Sequence, residues 1–214
     1  EKYVLTPEQS KAHAEGDIHI HDFDFYTLTT TCCQINLLDL FKNGFSTGHG
    51  FLREPNDISS YTALACIAIQ SNQNDQHGGQ SVPNFDYCMA PGVAKTFKKL
   101  YISNFFKAAE LLWPEFPLTL AQTKDFFQNL AEQDDNMQPR ITLDEQFVPK
   151  LQAALNQQLP SAMPEEIFAH CAQFAYDTAL QETDRHTFQA MEALVHNLNT
   201  MHSRAGAQTP FSSI

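Results

Sequence analysis

The sequence predicts an α/β fold rich in helix, on three observations. Strand-like stretches lie near both ends, at residues 18–21 and 209–214. Helix caps and helical periodicity fill most of the chain between them, and the order runs strand, helices, long helix, strand. With 214 residues, 43% hydrophobic and 18% charged, the chain can bury a sizeable core and has the composition of a soluble globular protein. Its longest apolar run, residues 63–69, is far short of the roughly 20 residues of a bilayer span. Thirteen Lys and Arg against 25 Asp and Glu give a formal charge of -12, which argues against a broad basic face for nucleic acid. A local site for a nucleotide's phosphates remains open to it. The five cysteines are scattered, without a CxxC pair or a signal peptide, and this points to a reducing cytoplasm.

The elements follow in order. Thr6-Pro7-Glu8-Gln9 fits a helix start with Thr6 as N-cap, and Gly16 is its natural stop. Ile18-His19-Ile20-His21 alternates as a strand, and residues 27–31 are β-prone and lead into Cys32-Cys33. A short helix over residues 35–41 closes at Asn43-Gly44, and residues 44–50, with three glycines, read as a flexible loop. Asp57 or Ser59 can cap a closely packed helix through Gln70, followed by a polar run over residues 71–76. Gly78-Gly79 breaks that helix or permits a close backbone approach. Pro83 opens another, interrupted at Pro91-Gly92, which carries Lys95, Lys98 and Lys99 and runs to Trp113. Residues 114–163 are rich in Gln, Asp and Pro and read as a helical insertion with one or two short amphipathic helices. From Pro164 to about Asn199, Ile167, Cys171, Phe174, Thr178, Phe188, Met191, Leu194, Val195 and Leu198 recur at helical spacing.

Three constellations could carry chemistry. His19 and His21 lie two apart beside Asp22, so on a strand both rings share one face and could chelate a metal; alternatively one is a buried, hydrogen-bonded histidine and the other sits at the strand end. Adjacent Cys32 and Cys33 point to opposite faces of a strand, so one thiol at most reaches a given cavity; packing is the alternative. Gly78-Gly79-Gln80-Ser81 precedes the lysine-bearing helix and could hold an anion on its amides. It is not a Walker A loop, and a tight turn beside a solvated lysine face is the other reading.

In order and style, four stretches resemble the anaerobic (class III) ribonucleoside-triphosphate reductases. They are Asp17-Ile18-His19-Ile20-His21-Asp22, Cys32-Cys33-Gln34-Ile35-Asn36-Leu37, Gln76-His77-Gly78-Gly79-Gln80-Ser81, and the terminal Asn199-Thr200-Met201-His202-Ser203-Arg204-Ala205-Gly206-Ala207-Gln208-Thr209-Pro210-Phe211. The resemblance implies part of a ten-stranded α/β barrel of the glycyl-radical enzyme type, in a homodimer that reduces ribonucleoside triphosphates under ATP or dNTP effectors. A thiyl radical abstracts the ribose 3'-hydrogen and the 2'-hydroxyl leaves as water. Formate or a thioredoxin-like protein supplies electrons, and a radical-SAM activating enzyme carrying an iron-sulfur cluster and S-adenosylmethionine installs the glycyl radical.

By the same resemblance, Cys32 matches the substrate-side cysteine that donates hydrogen, and His19 the histidine near the substrate or formate position. The Cys-x-x-Ile-Asn/Asp-Leu register favours Cys32 over Cys33. Thr31 stands where the family usually has Asn. The helices of residues 59–113 match the dimer and effector region, with Gln80 and Lys98 as candidate effector contacts. The ATP-cone, radical-cysteine loop, zinc site and glycyl-radical loop of such enzymes are expected outside residues 1–214, so this polypeptide alone is expected to lack reductase activity. Two other readings are a non-catalytic nucleotide-binding and dimerisation module, and an HxH metal-dependent hydrolase, which would need further His and Asp ligands.

Overall fold

The structure is a computed structural model, and it describes residues 4–20, 32–76, 78–142, 144–200 and 210–214. Helix α1 (Pro7–Glu15) opens with the expected capping box between Thr6 and Gln9 and closes on Gly16 at φ 82°. The expected strand over residues 18–21 is not formed where it is described: residues 18–20 are irregular, and His21 lies outside the described residues. The cause is local. The amides of Asp17 and Ile18 both donate back to the Ala12 carbonyl, so the helix end takes donors that a ladder would need. The β-prone residues 27–31 also lie outside the described residues.

Strand β1 (Cys33–Gln34) leads into α2 (Leu37–Asn43), capped by Asn36 and ended by Gly44. Residues 44–50, expected as a loop, instead carry a small antiparallel hairpin, β2 (Phe45–Ser46) with β3 (Phe51–Leu52). Gly44 makes it possible: at φ 72°, a Cβ there would collide with the Leu52 carbonyl oxygen and the Phe51 ring.

Helix α3 (Ile58–Asp75) starts at an Asp57 capping box and continues through the polar run that was expected to follow it. That run stays helical because Gln70 and Gln73 are buried and Asn72 bonds to the sheet. After Gly78 and Gly79 comes strand β4 (Gln80–Ser81), and α4 begins only at Phe85 and runs to Leu112. Residues 78–81 therefore form no helix N-terminus. Nor does α4 break at Pro91-Gly92. The Tyr87 carbonyl that Pro91 leaves without an i+4 amide belongs to an exposed residue, and Gly92 lets α3 approach so closely that a Cβ would lie 2.8 Å from the Tyr61 ring.

Residues 114–163 yield α5 (Leu120–Gln133), a 3-10 turn (Asp135–Met137) and α6 (Phe147–Gln158). Helix α7 (Glu165–Thr200) is continuous over 36 residues, about 54 Å at 1.5 Å per residue. The last strand is β5 (Ser212–Ser213).

Among the described residues the main sheet is parallel, ordered β1-β4-β5, with Cys33, Gln80 and Ser212 in register. Helices α4 and α7 pack along each other and are shared by two apolar cores. One core joins Ile35 and Val82 of the sheet region to α2, α3 and the sheet-proximal parts of α4 and α7. The other is an aromatic cluster of Phe97, Tyr101, Phe105, Phe127, Phe147 and Phe168, closed by α5 and α6.

Thr96 joins α3 to α4: its Oγ1 accepts the buried Ile58 N–H at 2.9 Å and donates to Gly92 O at 2.8 Å. Thr96→Val keeps the shape but orphans the Ile58 amide, so a loss of about 1–3 kcal/mol is expected in chemical denaturation.

Candidate functional site

The three-stranded sheet has two unlike faces. Cys33, Ile35, Gln80 and Val82 point toward the helices and are buried or half-buried; Cys32, Gln34 and Ser213 alternate with them and are exposed. The two adjacent thiols are thereby separated. Cys33 Sγ accepts a hydrogen bond from Asn72 Nδ2 of α3 at 3.0 Å and borders a cavity of about 530 Å³ with Asn36, Asp39 and Asp75. Cys32, one residue before β1, alternates to the opposite face and is exposed among the described residues. Gly79 beside it lets the Phe211 ring close in, since a Cβ would lie 3.0 Å from that ring.

The other three thiols are packing groups. Cys66, Cys88 and Cys171 are buried; burial pushes all three thiols up, Cys171 to about 11, so they stay protonated at neutral pH. His19 is exposed after the α1 cap, with its ring 6.1 Å from that of His13. Its expected metal-binding companions His21 and Asp22 lie outside the described residues, as does His202, while His196 is exposed on α7. Among the described residues no three His, Cys, Asp or Glu side chains gather to hold a metal ion.

Gln80 and Lys98 sit on different elements, β4 and α4, in different surroundings. Gln80 is 4% exposed on the central strand, where its Oε1 accepts from Asn72 Nδ2 at 2.8 Å. Lys98 lies in a groove of about 560 Å³ between α4 and α5, together with Lys95, Lys99 and Lys124. On α4 the spacing 95, 98, 99, 102 puts three lysines and Ile102 on one helix face, and on α5 the spacing 124, 128, 131 does the same for Lys124, Gln128 and Ala131.

Three of the ammonium groups are held from the rim. Lys95 Nζ reaches Glu54 at 2.5 Å and Pro55 O at 2.9 Å, Lys98 Nζ reaches Gln138 at 3.3 Å, and Lys99 Nζ reaches Asp57 at 3.4 Å. Partial burial opposes the Lys95 charge, but hydrogen bonds to Glu54 and Tyr61 outweigh it and raise its pKa. Partial burial likewise pushes the Asp57 carboxyl up, while hydrogen bonds from Ser60 and Lys99 outweigh that and leave it lowered. Lys124 makes no ion pair with the described residues. In a chain of formal charge -12, four lysines around one groove are a local cluster of cations, although Lys95 and Lys99 are paired with Glu54 and Asp57 and Glu132 also lines it. Lys95, Lys98 and Lys99 stand out in the sequence as one helix face, whereas Lys124 sits in a different helix and joins them only through tertiary packing.

Among the described residues no helix is long and apolar enough to cross a membrane. A family model described as anaerobic ribonucleoside-triphosphate reductase matches residues 1–214. Proteins of that name are similar to parts of the chain. The one from Enterobacteria phage T4 is 33% identical over 91 residues, 42% of this chain and 15% of the relative. Those from Salmonella typhimurium and Escherichia coli are each 29% identical over 100 residues, 46% of this chain and 14% of the relative. The matched segment is thus a small share of each relative's length. With the family model matching from end to end, the chain belongs to the anaerobic ribonucleoside-triphosphate reductase family.

Proposed function

We propose that this chain supplies the substrate-side wall and an effector platform of an anaerobic ribonucleoside-triphosphate reductase. The observation that carries the reading is the separation of the two adjacent thiols: Cys33 is tied to α3 while Cys32 stands free on the open face of a parallel sheet. In a barrel of ten such strands with helices outside, the helix-covered face is the exterior and the open face lines the lumen. Cys32 is then the thiol that meets the ribose, and its S–H supplies a hydrogen atom to a substrate radical on the face opposite the abstraction. His19 is the proton donor or anion partner near the substrate or formate position. The glycyl radical, when present in the whole enzyme, supplies the oxidising equivalent that generates the radical cysteine. The radical-SAM activase that installs it, the reductant and the second subunit belong to the whole protein, which we place in the cytoplasm.

The groove between α4 and α5 fits the phosphates of an ATP or dNTP effector. Four ammonium groups meet a polyanion, Asn56 offers a neutral hydrogen bond, and Ile102 and Ala131 line it with apolar surface; Glu132, which takes the Gln128 amide, is the one carboxylate among the lining residues. Lys98 carries the effector role in this reading; Gln80, buried under α3, serves the sheet. The arrangement also supports nucleotide binding by the polypeptide without turnover.

Isothermal titration with dNTPs and ATP tests the platform. Charge reversal of Lys98 and Lys124 together is expected to weaken binding by at least about tenfold, with affinity falling as salt rises. Affinity unchanged by the double reversal would remove the groove from the account.

A further inference from the structure

Adjacent cysteines create a problem of register. A one-residue slip of β1 along β4 would exchange Cys32 for Cys33 on the open face; burial opposes it, since Ile35 would leave the core and Gln34 enter it, but the two thiols themselves do not distinguish the registers. The ladder that must prevent it is short: Cys33 N–H donates to Gly79 O at 3.2 Å and Ile35 N–H to Ser81 O at 2.8 Å.

We propose that Asn72 is a positioning residue that locks this register and so fixes which thiol faces the open side of the sheet; the inference rests on the reading of Cys32 given above. One carboxamide nitrogen uses its two hydrogens on two strands at once, donating to Cys33 Sγ at 3.0 Å and to Gln80 Oε1 at 2.8 Å. Cys33 and Gln80 are direct partners in the β1–β4 register, so the amide clamps one rung of the ladder from the helix side. Gln80 is suited to serve as the fixed reference. It is 4% exposed, it lies on the central strand, and among the described residues Asn72 satisfies its Oε1 while its Nε2 has no partner. A slipped β1 would put Cys32 or Gln34 against Asn72 and take the Cys33 sulfur out of reach.

The test uses the full-length activated reductase and two readouts. The first is turnover: Asn72→Ala is expected to lower kcat by about a hundredfold, as misplacement of a reacting group does, with KM for the nucleotide nearly unchanged. The second is thiol labelling resolved by mass spectrometry. In the parent protein iodoacetamide reaches Cys32 in preference to Cys33, and in Asn72→Ala this preference is expected to collapse. Cys33→Ala removes only the tie to β1 and leaves the Asn72–Gln80 bond, so it serves if Asn72→Ala does not fold. It is expected to lower kcat in the same way, and Cys33→Ser, which restores an acceptor, is expected to recover it. Wild-type kcat together with wild-type labelling in Asn72→Ala, or in Cys33→Ala for kcat and the Cys32 labelling rate, overturns the positioning role. Full turnover by Cys32→Ser would instead overturn the reading of Cys32, while the labelling ratio would still decide the role of Asn72.

Discussion

Replacing Cys32 by serine in the full-length enzyme is expected to abolish deoxynucleotide formation, by at least about 10³-fold, or more than roughly 4 kcal/mol of barrier. Serine keeps the size and the hydrogen-bonding character of the side chain. It does not keep the weak S–H bond, and an alcohol does not release a hydrogen atom to a carbon radical as a thiol does. The loss should fall on kcat with substrate binding retained, because in the proposed role the group acts on the reacting centre and contributes little to holding the triphosphate. Cys33→Ser makes the contrast. Its sulfur faces α3 and accepts a hydrogen bond from Asn72, a task that a hydroxyl can also perform. Nucleotide binding with turnover lost in Cys32→Ser but retained in Cys33→Ser is the expected pattern, measured by product formation after activation.

Phe105→Ala is expected to be the most destabilising of the simple truncations, costing about 3–5 kcal/mol. Phe105 is fully buried where α4 meets α5 and α7. Its ring stacks on Tyr101 with centroids 6.5 Å apart and meets Phe127 and Phe168 edge-on, both at 5.8 Å. Truncation leaves a cavity bounded by rigid rings that cannot readily close it. Phe188→Ala is the control: Phe188 is 65% exposed on α7, and little change is expected there. Thermal unfolding of the two variants checks the difference, and limited proteolysis should show early cutting between α4 and α6 in Phe105→Ala alone. Because α4 carries both this core and the lysine face, loosening it should also weaken the nucleotide binding proposed for the groove.

Much of the helical framework was legible in the chain itself. The capping boxes at Thr6 and Asp57, the stop at Gly16 and the long periodicity beginning near Ile167 are local signals, and local hydrogen bonds realise them. The errors arose where tertiary contacts override such signals. Pro91-Gly92 reads as a break, yet α4 passes through it because Gly92 is where Tyr61 packs. The polar run after Gln70 reads as lying beyond the helix end, yet the helix continues through it and Asn72 bonds to the sheet. Gly78-Gly79 reads as a possible anion cradle, yet the residues after it enter the central strand.

The candidate site divides in the same way. Residue type and spacing bring out Cys32, Cys33 and the α4 lysines. The motif register favours Cys32 over Cys33, the pairing of β1 with β4 and the packing of α3 separate the two thiols physically, and only the docking of α5 adds Lys124. Asn72 carries no motif of its own. One amide among several in the polar run of residues 71–76 is a weak signal until its two partners are known.

The central claim is that Cys32, on the open face of the sheet, is the thiol that meets the substrate. A structure of the full-length enzyme with a bound ribonucleoside triphosphate tests it most directly, through the distances from both sulfurs to the ribose. The account predicts Cys32 Sγ within about 3.5 Å of the reacting ribose atoms, the separation of groups poised to react, with Cys33 still held by Asn72 on the other side of the strand. Cys33 Sγ at the ribose, with Cys32 turned toward α3, would contradict it.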